Sequence, residues 1–165
     1  RTTGIWQTVW MEFLPETHIE KIKIFPNVET GSFDVEALLK ETDLVLLDVK
    51  EIRSAQHEHI TGRPNTQTLA TAAWLEENGR PFWLRYVLVP GLSDAEEDLR
   101  ALGEHFKDYK MIERVELLPY HRLGVHKYES LGWDYQLKDA KENTAEQLKH
   151  AEDVLRKYFP QLVVN

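Results

Sequence analysis

An aspartate and a lysine close an otherwise apolar run, Asp43-Leu-Val-Leu-Leu-Asp-Val-Lys50. Side chains alternate along a strand, so Leu44, Leu46, Asp48 and Lys50 share one face while Val45, Leu47 and Val49 share the other. Charges at the C-terminal end of a parallel strand stand where α/β sheets and barrels bind ligands, although the same position also suits a salt bridge at the rim. The next apolar run, Pro81–Pro90 (PFWLRYVLVP), repeats the oddity, with Arg85 between Trp83 and Val87 on one face. A guanidinium there needs an anion, either Asp48 in a structural pair or a ligand carboxylate held in a bidentate fork.

A third run, Glu113–Leu118 (ERVELL), opens into Leu118-Pro-Tyr-His-Arg-Leu-Gly-Val-His-Lys-Tyr128, a loop rich in aromatic and basic residues. His121 is the first histidine past the strand end, and a lone loop histidine is ordinarily a surface residue. Convergence alters that reading. Asp48, Lys50, Arg85 and His121 all leave one edge of one sheet, which points to a cleft for an organic ligand with a charged end and hydroxyls. Other groupings carry less. His57 and His59, in a His-Glu-His fragment, point apart on a helix and read as a solvated face. Asp94, Glu96, Glu97 and Asp98 read as a helix's first turn, where negative charge offsets the dipole. The chain has no nucleophile elbow, no phosphate-cradling G-x-x-x-x-G-K and no G-x-G-x-x-G.

The elements that must position these residues are strands over 43–50, 81–90 and 113–118, expected to be covered on both faces, with helices between them. Thr66–Asn78 has helical spacing and a glycine, Gly79, where a C-terminal cap is wanted. Ser93-Asp-Ala-Glu96 reads as a capping box ahead of Leu99, Leu102 and Phe106, and Thr144-Ala-Glu-Gln147 as another ahead of Leu148, Ala151, Leu155 and Tyr158. The order strand, helix, strand, helix, strand, long loop, helix predicts an α/β fold with a parallel sheet. Within the first 26 residues, 5–14 fit either strand or helix, and Ile19–Phe25 alternates as a half-buried strand.

With 165 residues, 42% hydrophobic and 29% charged, one domain over the whole chain is expected. The net charge of −8 and the scattered basic residues leave no footprint for nucleic acid. No apolar run is long enough to span a membrane and the start lacks a signal-peptide layout, so a soluble, cytoplasmic protein is the expectation. Arg1 in place of Met reads as a boundary rather than an initiation site. The chain contains no cysteine, which excludes disulfides, thiolate nucleophiles and all-thiolate metal or iron–sulfur sites made from these residues.

Thr42–Lys50 (TDLVLLDVK), Trp83–Asp94 (WLRYVLVPGLSD) and Val115–Tyr128 (VELLPYHRLGVHKY) together resemble the later half of the pyruvate formate-lyase activating enzymes, a radical S-adenosylmethionine (SAM) family. His57–Asn65 (HEHITGRPN) is similar to that family's helix ending in an L-x-G-x-S-N turn, and the likeness runs from Glu29 to Tyr158. The resemblance implies a partial (β/α) barrel of which this chain supplies about the last three strand–helix units. It implies SAM and a [4Fe–4S] cluster as cofactors of the parent protein, the cluster cleaving SAM reductively so that a 5′-deoxyadenosyl radical takes hydrogen from a backbone glycine of a glycyl radical enzyme. A flavodoxin or ferredoxin would supply the electron.

Residue by residue, the resemblance implies that Asp48, Val49 and Lys50 form the D-x-K element at the SAM site, that His121 is the P-Y-H histidine meeting SAM, and that Arg85 lies in the same cleft. Glu29 and Thr30 match a D-T pair that, with Asp48, would hold a monovalent cation. The departures are as informative. The family's C-x-x-x-C-x-x-C loop and G-G-E segment are absent, Glu29 replaces Asp, and Lys141-Glu-Asn143 stands where Pro-Pro is usual. The chain is therefore expected to be the SAM-facing half of an activase, inactive alone, binding SAM weakly and associating through an open sheet edge. Two other readings compete: a cluster-less scaffold that docks a glycyl radical enzyme, and an aldolase-like barrel using Asp48 with a Schiff-base Lys50.

Overall fold

Each of the apolar runs becomes a strand in the computed structural model, which describes residues 24–27, 32–35, 43–122, 125, 130–132, 134, 135, 137 and 140–165. The chain divides into two units, Arg1–Thr42 and Asp43–Asn165. In the first, β1 (Ile24–Asn27) and β2 (Ser32–Val35) pair antiparallel, with Ile24 opposite Val35 and Asn27 opposite Ser32. Only the end of the alternating stretch Ile19–Phe25 falls in β1; residues 5–14, like Glu29 and Thr30, lie outside the described residues.

The second unit is built on a four-stranded sheet ordered β3 (Val45–Asp48), β4 (Phe82–Leu88), β5 (Ile112–Pro119) and β6 (Leu162–Val164), every neighbouring pair parallel. Helices α1 (Ser54–Thr61) and α2 (Thr66–Glu77) join β3 to β4, α3 (Glu96–Phe106) joins β4 to β5, and α4 (Ala145–Leu155) precedes β6. The last strand was not anticipated: an apolar stretch this short carries no periodicity of its own and is defined only by pairing with Val115, Glu116 and Leu117. Among the described residues no helix is long and apolar enough to cross a membrane.

The expectation that the strands are covered on both faces needs correcting. Along β4, Phe82, Leu84, Tyr86 and Leu88 are fully buried, while the residues between them are only half-buried. The buried side packs with Ala72 and Leu75 of α2, Leu99, Leu102 and Phe106 of α3, and Ala151, Val154 and Leu155 of α4 in one core. The opposite face carries Leu46, 51% exposed, with Trp83, Arg85 and Arg114. Among the described residues the helices α2, α3 and α4 pack against one face, as in the wall of a (β/α) barrel, whereas a doubly wound sheet has helices on both. That open face is where the charged residues lie.

Helix boundaries follow local chemistry. At the end of α1, Gly62 adopts φ +76° and its N–H donates to Glu58 O, a left-handed cap that glycine takes without steric cost. The Thr144 capping box forms as expected: Gln147 N donates to Thr144 Oγ1 (3.2 Å) and Thr144 N to Gln147 Oε1 (2.9 Å). The Ser93 box does not. Helix α3 starts at Glu96 after Ala95, with no side-chain cap, because Ser93 is engaged upstream, its Oγ donating to Val87 O (2.8 Å) and accepting from Val89 N (2.9 Å). Asp94 Oδ1 accepts from Gly91 N (2.7 Å), so both side chains close the turn that leaves β4.

Candidate functional site

Because β3, β4 and β5 run parallel, their C-terminal ends gather at one edge. Asp48 is the last residue of β3, and the ladder continues one step further as Val49 N donates to Arg85 O (3.0 Å). The Val49 side chain is buried in the core. Of the Asp48-Val49-Lys50 element, therefore, only the flanking side chains reach the open face; Val49 can offer a ligand nothing but backbone.

What turns the chain sharply after Lys50 is a buried polar cluster. Glu51 is fully buried, and its Oε1 accepts from Ile52 N (2.7 Å) and Arg53 N (3.0 Å). Asn65, also buried, donates from Nδ2 to Glu51 O (3.2 Å) and Ile52 O (2.6 Å). Tyr86 Oη donates to Ser93 O (2.9 Å) and lies 3.2 Å from Glu51 Oε2. Burial lifts the Glu51 carboxyl above its usual range and the Tyr86 hydroxyl likewise. Arg53 ties the start of α1 to α3, pairing through Nε with buried Asp98 and through Nη1 with Glu97 Oε1 (2.9 Å). Thus Asp98 stands in the first turn of α3 as its place in the acidic run suggests, and its buried carboxylate also serves as an internal anchor. The solvated-face reading of His57 needs correcting: it is buried, with Nδ1 2.7 Å from Arg63 O and 3.0 Å from Thr61 Oγ1, while His59 is exposed.

On the open face, strand register aligns Asp48, Arg85 and Glu116 across β3, β4 and β5. Arg85 Nε lies 3.5 Å from Asp48 Oδ1 and 3.5 Å from Glu116 Oε2, buried and hydrogen-bonded to neither. Lys50 Nζ donates to Asp48 Oδ2 (3.0 Å). On the far side, Arg114 Nη1 donates to Glu116 Oε1 (3.4 Å), and its guanidinium stacks 4.1 Å above the Trp83 ring. The result is a line of alternating charge from Lys50 to Arg114.

Above this line a cavity of about 610 Å³ opens at the strand ends, and Asp48, Lys50, Arg85 and His121 all line it. The four side chains that strand alternation and strand-end position singled out are thus brought together. Val87, Leu118 and Pro119 give it apolar wall, and Tyr120, Glu142, Asn143 and Asn165 complete it. Asn143 Oδ1 accepts from Tyr120 N (2.8 Å), and the Tyr120 and Tyr135 hydroxyls meet at 2.6 Å. Burial, helped by that contact, pushes the Tyr135 hydroxyl up to about 12. Sequence reasoning missed Glu116, whose role depends on register with β4, and Asn143, which lies far beyond His121 along the chain. Among the described residues no group of three or more His, Cys, Asp or Glu is arranged to hold a metal ion.

No family model matches the chain. Its sequence is 46% identical over 120 residues to a pyruvate formate-lyase-activating enzyme of Streptococcus mutans, an overlap that takes in 73% of this chain and 46% of that enzyme. The chain thus spans about half the length of the curated relatives it matches. Among solved structures it is similar to a domain of a pyruvate-formate lyase-activating enzyme from Bacteroides vulgatus, with a TM-score of 0.63 at 19% identity, covering 78% of this chain and 70% of that one. It is also similar to Streptococcus suis SuiB bound to S-adenosylmethionine, with a TM-score of 0.51 at 16% identity over 78% of this chain and 28% of the other. These likenesses show the fold, an α/β arrangement on a parallel sheet.

Proposed function

From a chain homologous to the pyruvate formate-lyase-activating enzymes over most of its length, we propose the SAM-holding part of a glycyl-radical-enzyme activase. The observation that carries this reading is the meeting of Asp48, Lys50, Arg85 and His121 in one cavity at the strand ends. A volume of about 610 Å³ suits a nucleoside-sized ligand, since small-molecule sites span roughly 300–1,000 Å³. The lining suits SAM in kind as well: Lys50 and Arg85 offer positive charge to a carboxylate, Asp48 and His121 offer partners to amino and hydroxyl groups, and Val87 and Leu118 give apolar contact.

In this reading Lys50 acts as a held cation. Its Nζ is kept by Asp48, and the Glu51–Asn65 cluster below fixes the backbone that carries it. Arg85 lines the same cavity from β4, and His121 lines it from just beyond the end of β5. SAM, when bound beside a reduced [4Fe–4S] cluster, supplies the radical that takes hydrogen from the partner's glycine. With no cysteine among the 165 residues, thiolate ligands for that cluster have to come from elsewhere, and the isolated chain would be inactive. The partner would be a cytoplasmic glycyl radical enzyme and the electron donor a flavodoxin or ferredoxin. The aldolase-like alternative loses ground, because Lys50 is 44% exposed and salt-bridged, whereas a Schiff-base lysine is activated by desolvation.

Titration of SAM into the isotope-labelled chain, followed by nuclear magnetic resonance, tests the proposal. Weak binding is expected, with a Kd near or above about 1 mM, and shifts confined to Asp48, Lys50, Arg85 and His121 that vanish in Lys50→Ala. Shifts elsewhere, or none at saturating SAM, overturn it. Micromolar binding that needs Lys50 would favour a cluster-free SAM-binding role instead.

A further inference from the structure

Arg85 has two candidate counter-ions at the same distance, and their surroundings differ. Asp48 is 41% exposed at its side chain, lines the cavity and already accepts from Lys50. The Glu116 side chain is 11% exposed and is not part of the cavity lining. Its second oxygen is taken by Arg114, whose guanidinium is in turn fixed on the Trp83 ring. One carboxylate is free to exchange partners with a ligand; the other is braced from behind.

We infer that Glu116 is the positioning residue for Arg85, holding its guanidinium on the cavity wall when Asp48 turns to a ligand. Both ion pairs run through Nε, which leaves the terminal nitrogens of Arg85 for an anionic or carbonyl group in the cavity. Arg114 and Trp83 act one step further back, as a stacked cation that sets the angle of Glu116. A buried carboxylate with charged partners on both sides is costly to leave half-satisfied, so the three strands share one register-dependent lock. The consequence for ligand binding rests on the SAM-site reading above; the lock itself does not.

The test separates the two. In the ligand-free chain, exchange of the Arg85 Nε–H with solvent should be slow, and Glu116→Gln should speed it on the order of ten-fold, more than Asp48→Asn does. Glu116→Asp, which keeps the charge but shortens its reach, should give a smaller acceleration and covers the case in which the glutamine variant does not fold. Glu113→Gln, on the same strand but exposed, should change nothing. An Arg85 Nε–H that already exchanges freely in the unaltered chain, or one governed by Asp48 rather than Glu116, overturns the inference. If the lock is found but SAM causes no shifts at the cavity, the inference stands and the SAM-site reading fails.

Discussion

Lys50 and Glu51 are adjacent and oppositely placed, one half-exposed at the cavity and the other fully buried beneath it. Glu51 is the better probe of how the site is held. Its two backbone donors, Ile52 N and Arg53 N, lose their acceptor in Glu51→Ala, which should cost about 1–3 kcal/mol in urea unfolding. Glu51→Gln keeps an acceptor and can donate to Tyr86, so it should cost less. The pH dependence has a definite sign. A carboxyl whose folded value is raised above its usual 4.5 contributes stability that is fully present below that value and is lost as pH rises through the folded one. The glutamine variant has no such titration, so it should gain on the unaltered chain as pH rises from about 4 to 7, and a constant difference would refute this. These roles were unevenly legible. Asp48, Lys50 and Arg85 stood out because a charge on an apolar strand face is anomalous by itself. The burial of Glu51 and Asp98 did not, since a carboxylate next to a lysine or in a helix's first turn already has a local explanation until the packing around it is known.

Two Ser/Thr-x-x-Glu/Gln motifs of the same form have different fates. At Thr144 the hydroxyl closes the capping box, and Thr144→Ala should cost about 1 kcal/mol of stability. At Ser93 the hydroxyl serves the turn leaving β4, so Ser93→Ala should disturb that turn and the Tyr86 contact while leaving the length of α3, read by circular dichroism, unchanged. The motif alone cannot separate these cases, because the competing acceptor, Val87 O, belongs to the preceding strand. Strand and helix positions were legible from apolar spacing, but which faces are covered was not: a continuous apolar run fits burial on both sides, and only the half-buried alternation of β4 shows otherwise. Helix α3 offers a further test at Gly103, where a Cβ would collide with the Tyr158 ring that packs over it after α4. Gly103→Ala should therefore cost about 1–3 kcal/mol through overpacking rather than gain from helix propensity, as a shift in melting temperature would show.

In the described sheet β3 and β6 are the outer strands, and the open face next to β3 carries half-exposed Leu46. An unpaired parallel edge beside apolar surface favours association, so light scattering should show species larger than the monomer at high concentration, and a clean monomer would count against it. Leu46→Lys should shift the balance toward monomer. The sheet order also has a kinetic consequence. Strands β3 to β6 lie side by side in the order in which they occur along the chain, each docking on the one before it through its own connecting segment. Every closure is therefore sequential, and none waits for a strand from the far end of the protein. A nascent chain could then consolidate this wall pair by pair. Amide exchange should grade outward from β4 and β5, the inner pair, toward β6, with the last strand opening first.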